Sequence, residues 1–236
     1  MPRSPRPVVP PSSINVSIVE RYIPPTTRYE FEHMFDLDGP SILVDRLLEL
    51  SPNNGSLIFI YPTRSGGQTF MRDYLSPVLD PLLRSLIVAN GLSSDLCAAL
   101  GNMDAVDKLP SHSTLQRRIE HLCATLSQRV SHVERFSGKM AKFNLSYCST
   151  EGLLVSRDTW AKFWWTKQEK PRIRDLVTKY SQEAQRRSTI DHGERSATPM
   201  GLLQSLLDGV AKRSYPSGQE PQQGIEVSIS VITRTQ

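Results

Sequence analysis

The sequence predicts an α/β fold in which a mixed sheet is flanked by helices, and three patterns lead to this prediction. Residues 14–23 alternate apolar and polar side chains, which is typical of a strand with one buried face. Residues 56–61 (SLIFIY) form an almost uninterrupted apolar run, as in parallel strands covered by helices on both faces. A helical apolar pattern precedes this run and ends at Ser-Pro-Asn-Asn-Gly. We therefore expect a helix, a short turn and a buried strand in succession.

The helix before the buried strand is predicted over Pro40–Leu50. Asp38 is the predicted N-cap, and Pro40 suits the first turn, where its missing N–H needs no partner. The turn at residues 51–55 ends the helix. Its apolar positions fall on one helical face: Ile42, Leu43, Leu47 and Leu50.

Three helices are expected after the buried strand. Met71–Val88 has an apolar helical pattern interrupted by Pro77 and Pro81, which predicts a kinked or split helix. Ser93–Ala99 predicts a short helix. Ser113–Val130 has the clearest amphipathic pattern, with apolar residues recurring along one face.

The last third of the chain predicts strands at its two ends and helices between them. Lys139–Arg157 is interpreted as two strands around a turn at residues 150–152. Ser156 is the predicted N-cap of a helix that ends before Pro171, where a further helix begins. Thr198 and Pro199 begin the last helix as N-cap and first-turn proline, and residues 225–233 close the chain as a strand.

These elements suggest one domain over residues 14–236. Residues 1–13 predict a disordered leader, because five of the first 11 residues are prolines and no apolar run is present. A helical insertion is expected over residues 93–130. Polar composition predicts mobile loops at residues 188–197 and 214–224.

Composition excludes several classes of protein. No window approaches 18 consecutive apolar residues, so neither a membrane-spanning helix nor a membrane partner is expected. Three widely spaced cysteines do not form a disulfide framework, which favours a reducing compartment, either the cytoplasm or the nucleus. The net charge of +4 permits an anionic partner without requiring one. Because His112, His121 and His132 have no cysteine or carboxylate at a metal-binding spacing, no metal is expected.

The segment that follows the buried strand, residues 61–69, is predicted to be a loop and is the first candidate site. Ligands of open α/β sheets bind beyond the carboxyl ends of the strands. Two glycines, a helix N-terminus and an arginine together suit an anion, although an ordinary strand-to-helix turn explains the same residues. The segment matches neither GxGxxG nor GxxxxGK[ST]. The candidate ligand residues are Tyr61, Thr63, Arg64, Ser65, Gly66 and Gly67.

A basic and aromatic stretch is the second candidate. Residues 157–187 hold nine Lys or Arg against four Asp or Glu, and this stretch contains Trp160, Phe163, Trp164 and Trp165. Aromatic side chains beside cations are typical of single-strand nucleic-acid binding, and an acidic partner is the alternative ligand. The same aromatics at helical spacing are also explained by core packing. The candidate basic surface comprises Lys167, Lys170, Arg172, Arg174 and Lys179.

Catalytic patterns are sparse. The sequence contains neither HExxH nor GxSxG. Glu32, His33 and Asp36 follow the first predicted strand, so a catalytic role at its carboxyl end is a hypothesis for them.

The order of elements resembles the carboxyl half of a class I S-adenosylmethionine-dependent methyltransferase. In that family a helix leads through a turn with leucine, proline, glycine and leucine into a buried strand, and Leu50, Pro52, Gly55 and Leu57 match it. The resemblance covers residues 14–88 and 139–236. It implies a partial Rossmann-like sheet, mainly parallel, that ends in an antiparallel pair.

The same resemblance implies function. It gives S-adenosylmethionine as cofactor and places Tyr61, Thr63 and Arg64 on the substrate side. The strand and glycine-rich loop that bind the cofactor in this family have no counterpart in the sequence. We therefore expect a truncated or degenerate methyltransferase-like protein, with a protein partner completing its sheet. A non-catalytic protein that binds nucleic acid or an acidic partner is the alternative.

Overall fold

The structure is a computed structural model that describes residues 8–27, 29–37, 39–90, 92–129, 141–187 and 198–235, with only the backbone at 129 and 183–187. The chain divides into two compact units. The first unit is formed by residues up to Gly67, Ala105–Leu153 and the residues from Ile225 onward; the second by Gln68–Asp104 and Leu154–Gly224. The predicted insertion at 93–130 is thus divided between the two units.

The first unit contains one four-stranded sheet. Its strands are β1 (Val16–Glu20), β2 (Gly55–Pro62), β3 (Lys142–Leu153) and β4 (Ile225–Thr235), in the spatial order β1-β2-β4-β3. β1 is parallel to β2, and β4 is antiparallel to both β2 and β3. The prediction of a mixed sheet flanked by helices is confirmed. Three of the four strands, β1, β2 and β3, run in one direction, as expected for a mainly parallel sheet, and β4 runs between β2 and β3 in the opposite direction.

Three helices supply the core of this unit: α1 (Tyr29–His33), α2 (Ile42–Glu49) and α6 (His112–Arg129). Alternate residues of β2, namely Leu57, Phe59 and Tyr61, are fully buried. Ile58 and Ile60 on the opposite face are only partly buried, so the expected burial on both faces is complete on one face alone. They belong to one apolar cluster with side chains from the three helices: Phe31, Leu43, Val44, Leu47, Leu115, Ile119, Leu122 and Leu126.

Helix α2 begins at a serine rather than at the predicted aspartate. The Ser41 hydroxyl accepts a hydrogen bond from the Val44 amide, which satisfies one free N–H of the first turn. The predicted cap Asp38 lies outside the described residues. At the other end of the helix, Asn54 has a positive φ of 59° in the turn that leads into β2.

The predicted disorder of the leader is wrong for residues 8–13. The Ser12 amide donates to the Leu48 carbonyl at 3.1 Å, and the Ser13 amide donates to the Glu49 carbonyl at 2.9 Å. These bonds satisfy carbonyl groups that the last turn of α2 leaves without helical partners. Residues 1–7 lie outside the described part of the chain.

The second unit is helical. A π-helical segment at Phe70–Leu75 is followed by α4 (Ser76–Asn90) and α5 (Ser94–Gly101). A second π-helical segment at Thr159–Trp165 is followed by α7 (Thr166–Arg187) and α8 (Pro199–Lys212). Helix α3 (Arg64–Thr69) follows β2, and a short 3₁₀ helix covers Val106–Lys108.

Proline does not end a helix at Pro171, which lies inside α7. At the predicted kink or split, α4 continues through both Pro77 and Pro81. From the end of the preceding π-helical segment into α7, fully buried side chains recur every four residues on both sides of the proline, so packing outweighs the local cost of the proline. These side chains are Trp165, Glu169, Ile173 and Val177.

The predicted hairpin at residues 139–157 is also wrong. β3 continues through the expected turn, and Glu151, Gly152 and Leu153 pair with Val227, Glu226 and Ile225 of β4. A long neighbouring strand provides backbone partners that outweigh the turn propensity of Thr-Glu-Gly. The predicted cap and proline of α8 are confirmed, because the Thr198 hydroxyl accepts from the Gly201 amide and Pro199 opens the helix.

The predicted loop at 214–224 contains no helix or strand, and the one at 188–197 lies outside the described residues. Within the residues that the structure describes, no helix is both long and apolar enough to cross a membrane.

Candidate functional site

The segment after β2 is helical, which corrects the prediction of a loop. Thr63 caps α3, since its Oγ1 accepts from the Gly66 amide at 3.1 Å and its carbonyl accepts from the Gly67 amide at 2.8 Å. The Arg64 amide donates to the Pro110 carbonyl at 2.9 Å. Three N–H groups that would approach an anion therefore already have acceptors within the chain.

The glycine pair serves close packing. A Cβ at Gly66 would overlap the backbone of Glu226 in β4, and one at Gly67 would lie 2.6 Å from Leu109 Cδ1. Thr63 Oγ1 also bonds the Glu226 carboxylate. The close approach of α3 to β4 and Leu109 therefore explains both glycines. This agrees with the alternative interpretation, in which the segment is an ordinary strand-to-helix turn.

The exposed members of the segment are Arg64 and Ser65. Arg64 Nε donates to the Leu109 carbonyl at 3.0 Å, which fixes the start of the side chain against the same turn that accepts its amide. A ligand role for these two residues stays a prediction.

Tyr61 is the buried polar residue at the carboxyl end of β2. Its ring lies between Phe31 and Phe59, with centroid separations of 5.5 and 5.6 Å. Its hydroxyl is buried and has no hydrogen-bond partner among the described residues. Burial raises the pKa of Tyr61 above its ordinary value, while the nearby charges of Arg21 and Glu30 act in opposite directions.

Arg21 and Glu30 form an ion pair beside this hydroxyl. Arg21 directly follows β1, so the pair lies at the carboxyl end of the parallel strands, where ligands of α/β sheets bind. Neither residue was among the predicted site residues. The predicted strand at residues 14–23 includes Arg21, and only the end of β1 at Glu20 places this residue at the carboxyl edge of the sheet.

The residues hypothesised to be catalytic do not meet in one place. Glu32 pairs with Arg118 at 2.6 Å, and Asp36 accepts a hydrogen bond from the Gly39 amide at 2.9 Å. His33 is exposed at the end of α1. Each carboxylate therefore has a structural partner, and the catalytic hypothesis gains no geometric support.

Three cations of the predicted basic surface share one face of α7. Lys167, Lys170 and Arg174 are exposed and follow the spacing i, i+3, i+7. Phe163 is 57% exposed, and its ring lies 5.6 Å from the Lys167 ammonium. We call these four residues the α7 surface. Arg174 also lies 3.6 Å from Asp175.

The other two predicted cations are placed differently. Arg172 points inward and bonds the buried Glu169, and Lys179 lies roughly 140° around the helix from Arg174. Trp160 and Trp165 are fully buried in the second unit, so packing explains these two aromatics. The aromatic pattern therefore combines core residues with one exposed ring.

β1 presents an edge of the sheet. Among the described residues it pairs with β2 alone, where Asn15 and Arg21 contribute backbone hydrogen bonds of 2.8 and 2.9 Å. Because successive backbone groups alternate in direction, those of Val16, Ile18 and Glu20 point the other way. Val16 and Ile18 are each 57% exposed, so both their backbones and their side chains are accessible.

Metal and thiol chemistry receive no support from the geometry. Within the described ranges, no three His, Cys, Asp or Glu residues are grouped to hold a metal ion. Cys97 and Cys123 are buried free thiols, and Cys148 is a partly buried one. His112 Nδ1 lies 3.0 Å from the Ser228 hydroxyl, and His132 lies outside the described residues.

Comparison with known proteins does not assign the chain to a family. No protein-family model matches it, and no curated protein matches it. Two surfaces of the described residues suit a partner: the α7 surface and the β1 edge.

Proposed function

We propose that this chain is a methyltransferase-like protein that acts by assembly through the β1 edge rather than as a catalyst alone. Its topology supports the fold relationship. A parallel pair, β1 and β2, is followed by an antiparallel pair at the end of the chain, and the turn with Leu50, Pro52, Gly55 and Leu57 leads into the buried strand. This is the order of elements that the resemblance implies.

The implied cofactor does not fit the residues present. S-adenosylmethionine would need a backbone cradle, and the glycine-rich loop that supplies it in the family has no counterpart here. The Gly66–Gly67 pair cannot replace that loop, because its N–H groups bond to Thr63 and Gly66 faces the backbone of β4. We therefore derive no methyl-transfer step for this chain. Isothermal titration with S-adenosylmethionine at millimolar concentration should give no saturable heat. A saturable signal would contradict this part of the proposal.

The main support for this proposal is the exposed edge of β1. A strand with unpaired backbone groups and exposed apolar side chains is a template for another strand. The exposed edge of β1 is also complementary to the β1 edge of a second copy of the chain. If two copies pair antiparallel about a twofold axis at Ser17, Val16 of each copy lies opposite Ile18 of the other. The outward backbone groups then pair across the dyad, and four apolar side chains meet on one face.

Light scattering after size exclusion tests this assembly. The mass of the intact chain should rise toward that of a dimer as concentration increases. Ile18→Lys should keep the chain monomeric, because it places a charge at the centre of the new strand pair. Val88→Lys is the matched control, since Val88 is 87% exposed in α4. A chain that stays monomeric, or a dimer that both variants retain, would refute assembly through β1.

The α7 surface favours a second candidate function, the binding of single-stranded nucleic acid. Phe163 offers a ring on which a base can stack, and Lys167, Lys170 and Arg174 offer cations for phosphates at helical spacing. The Lys167 ammonium lies over the exposed ring, so stacking and charge occur together. We place this function inside the cell, in the cytoplasm or nucleus, where three free thiols remain reduced.

Fluorescence anisotropy with a labelled 20-nucleotide single-stranded RNA tests this second function. Changing Lys167, Lys170 and Arg174 together to Gln should weaken binding at least tenfold and lower its salt dependence. The matched control changes three cations elsewhere in the same unit to Gln: Arg84, Lys179 and Arg213. Equal weakening by both triple variants would contradict a defined surface. Tighter binding of labelled polyglutamate than of RNA would indicate an acidic protein partner instead.

A further inference from the structure

The first unit contains a groove beside α6 that the functions above do not use. Its volume is about 500 Å³, within the range typical of small-molecule sites. One wall is α6, and the other is the segment that follows α1. Three apolar side chains line the groove, Phe35 and Leu37 from the segment and Leu122 from the helix.

The polar side chains that line the groove lie along one side of α6. Thr114, Arg118, His121 and Thr125 follow the spacing i, i+4, i+7, i+11, so they form one stripe along α6. The stripe lies next to the buried side of the helix. The same helix therefore supplies both core residues and a polar wall.

The two arginines of the groove differ in their bonding. Arg118 is anchored, since its Nη1 pairs with Glu32 at 2.6 Å and its guanidinium lies 4.9 Å from the Phe31 ring centre. Arg117 uses only Nε, which donates to the Ser113 carbonyl at 3.3 Å. Within the described part of the chain its two terminal nitrogens have no partner. They form a planar donor pair of the kind that binds carboxylates and sulfonates.

The other charges near the groove leave this donor pair available. Glu32 forms an ion pair with Arg118, and the exposed Asp36 accepts a hydrogen bond at Oδ1 from the Gly39 amide. His121, one helical turn after Arg117, contacts Thr125 through Nε2 at 3.5 Å. The wall thus combines an apolar surface with a cation that has no carboxylate partner among the described side chains.

We propose that this groove binds an amphipathic anion, a small molecule with one carboxylate or sulfonate on an apolar body. Arg117 contacts the anionic group, and Phe35, Leu37 and Leu122 cover the apolar body. The positive charge of Arg117 favours an anionic ligand over a neutral apolar one. The groove volume of about 500 Å³ favours a small molecule over a peptide helix.

Fluorescence titration of the full chain with 8-anilinonaphthalene-1-sulfonate tests the proposal. We expect one saturable site from which dodecanoate displaces the probe, whereas dodecanol, with the same apolar body and no charge, displaces it at least tenfold less well. Arg117→Gln should weaken probe binding about tenfold, and Arg117→Glu should weaken it further. The exposed Arg84→Gln is the matched control and should bind like the unchanged chain.

Three results would overturn the proposal. These are a titration that does not saturate, an Arg117→Gln variant with unchanged affinity, and equal displacement by dodecanol and dodecanoate. Circular dichroism of each variant checks that it is folded. Arg117 is exposed, so its substitution should leave the melting curve unchanged.

Discussion

Arg172 of α7 donates a hydrogen bond from Nη1 to the carbonyl oxygen of Ala99, 2.8 Å away in the last turn of α5. Its Nη2 donates to the Leu100 carbonyl at 3.2 Å, and its Nε pairs at 2.5 Å with Glu169, which is fully buried. A cation at a helix C-terminus stabilises the free carbonyls there. Arg172 therefore joins two helices of the second unit instead of offering its charge to a ligand.

Replacing Arg172 with Ala should destabilise the second unit by roughly 3 kcal/mol, because the buried Glu169 carboxylate loses its cation. Arg174→Ala, two residues away and exposed, should change the free energy of unfolding by less than about 0.5 kcal/mol. Urea unfolding followed by the fluorescence of the buried tryptophans measures both values. Similar effects of the two substitutions would mean that the link to α5 is not formed.

Gly66→Ala should lower the free energy of unfolding by about 2 kcal/mol or more, because the new Cβ would overlap the Glu226 backbone, which cannot move aside as a side chain can. Gly101→Ala is the control. A Cβ there would meet Leu83 Cδ1 at an ordinary 3.4 Å, and alanine is the better helix former. We expect it to be neutral or stabilising in chemical denaturation. A harmless Gly66→Ala would argue against the close approach of α3 to β4.

Tyr61→Phe should raise the free energy of unfolding by about 1 kcal/mol, because it removes a buried hydroxyl that has no hydrogen-bond partner among the described residues. The matched variant is Tyr74→Phe. Its hydroxyl donates to the Gln223 carbonyl at 2.9 Å, so its removal should destabilise by about 1 kcal/mol. Denaturant titrations of both variants give the comparison. Destabilisation by Tyr61→Phe would show that this hydroxyl is satisfied.

The stability of the first unit should fall as pH rises above about 9. Burial raises the pKa of the Cys123 thiol from 9.0 to about 12, so the unfolded chain loses this proton while the folded chain keeps it. The folded state then binds more protons, and the free energy of unfolding falls by up to about 1.4 kcal/mol per pH unit. Below pH 9 this contribution is fully present.

Urea unfolding between pH 8 and 10 measures this dependence. Cys123→Ala should show a smaller slope against pH, whatever its stability at pH 8. Cys148→Ala is the comparison, because this thiol is only partly buried. An unchanged slope in Cys123→Ala would mean that the thiol ionises as readily in the folded chain as in the unfolded one.

The surfaces could be predicted only in part. Lys167, Lys170 and Arg174 are found from helical spacing and charge, because a helix fixes which side chains share a face. The inward position of Arg172 depends on the carbonyls of α5, about 70 residues earlier in the chain, which local spacing does not reveal. In the same way, Gly66 and Gly67 resemble a ligand loop until β4 and Leu109 are seen beside them.

Local patterns in the sequence were enough to predict the α/β class, the apolar strand β2, the amphipathic helix α6 and the cap of α8, because each depends on a local period or a capping residue. Other features depend on contacts between residues that are far apart in the chain. The insertion of β4 between β2 and β3 set the sheet directions, and a long strand partner kept β3 straight through a turn-like sequence. Buried side chains held α7 continuous through Pro171. In each case contacts between distant residues outweighed a local preference of about 1–3 kcal/mol.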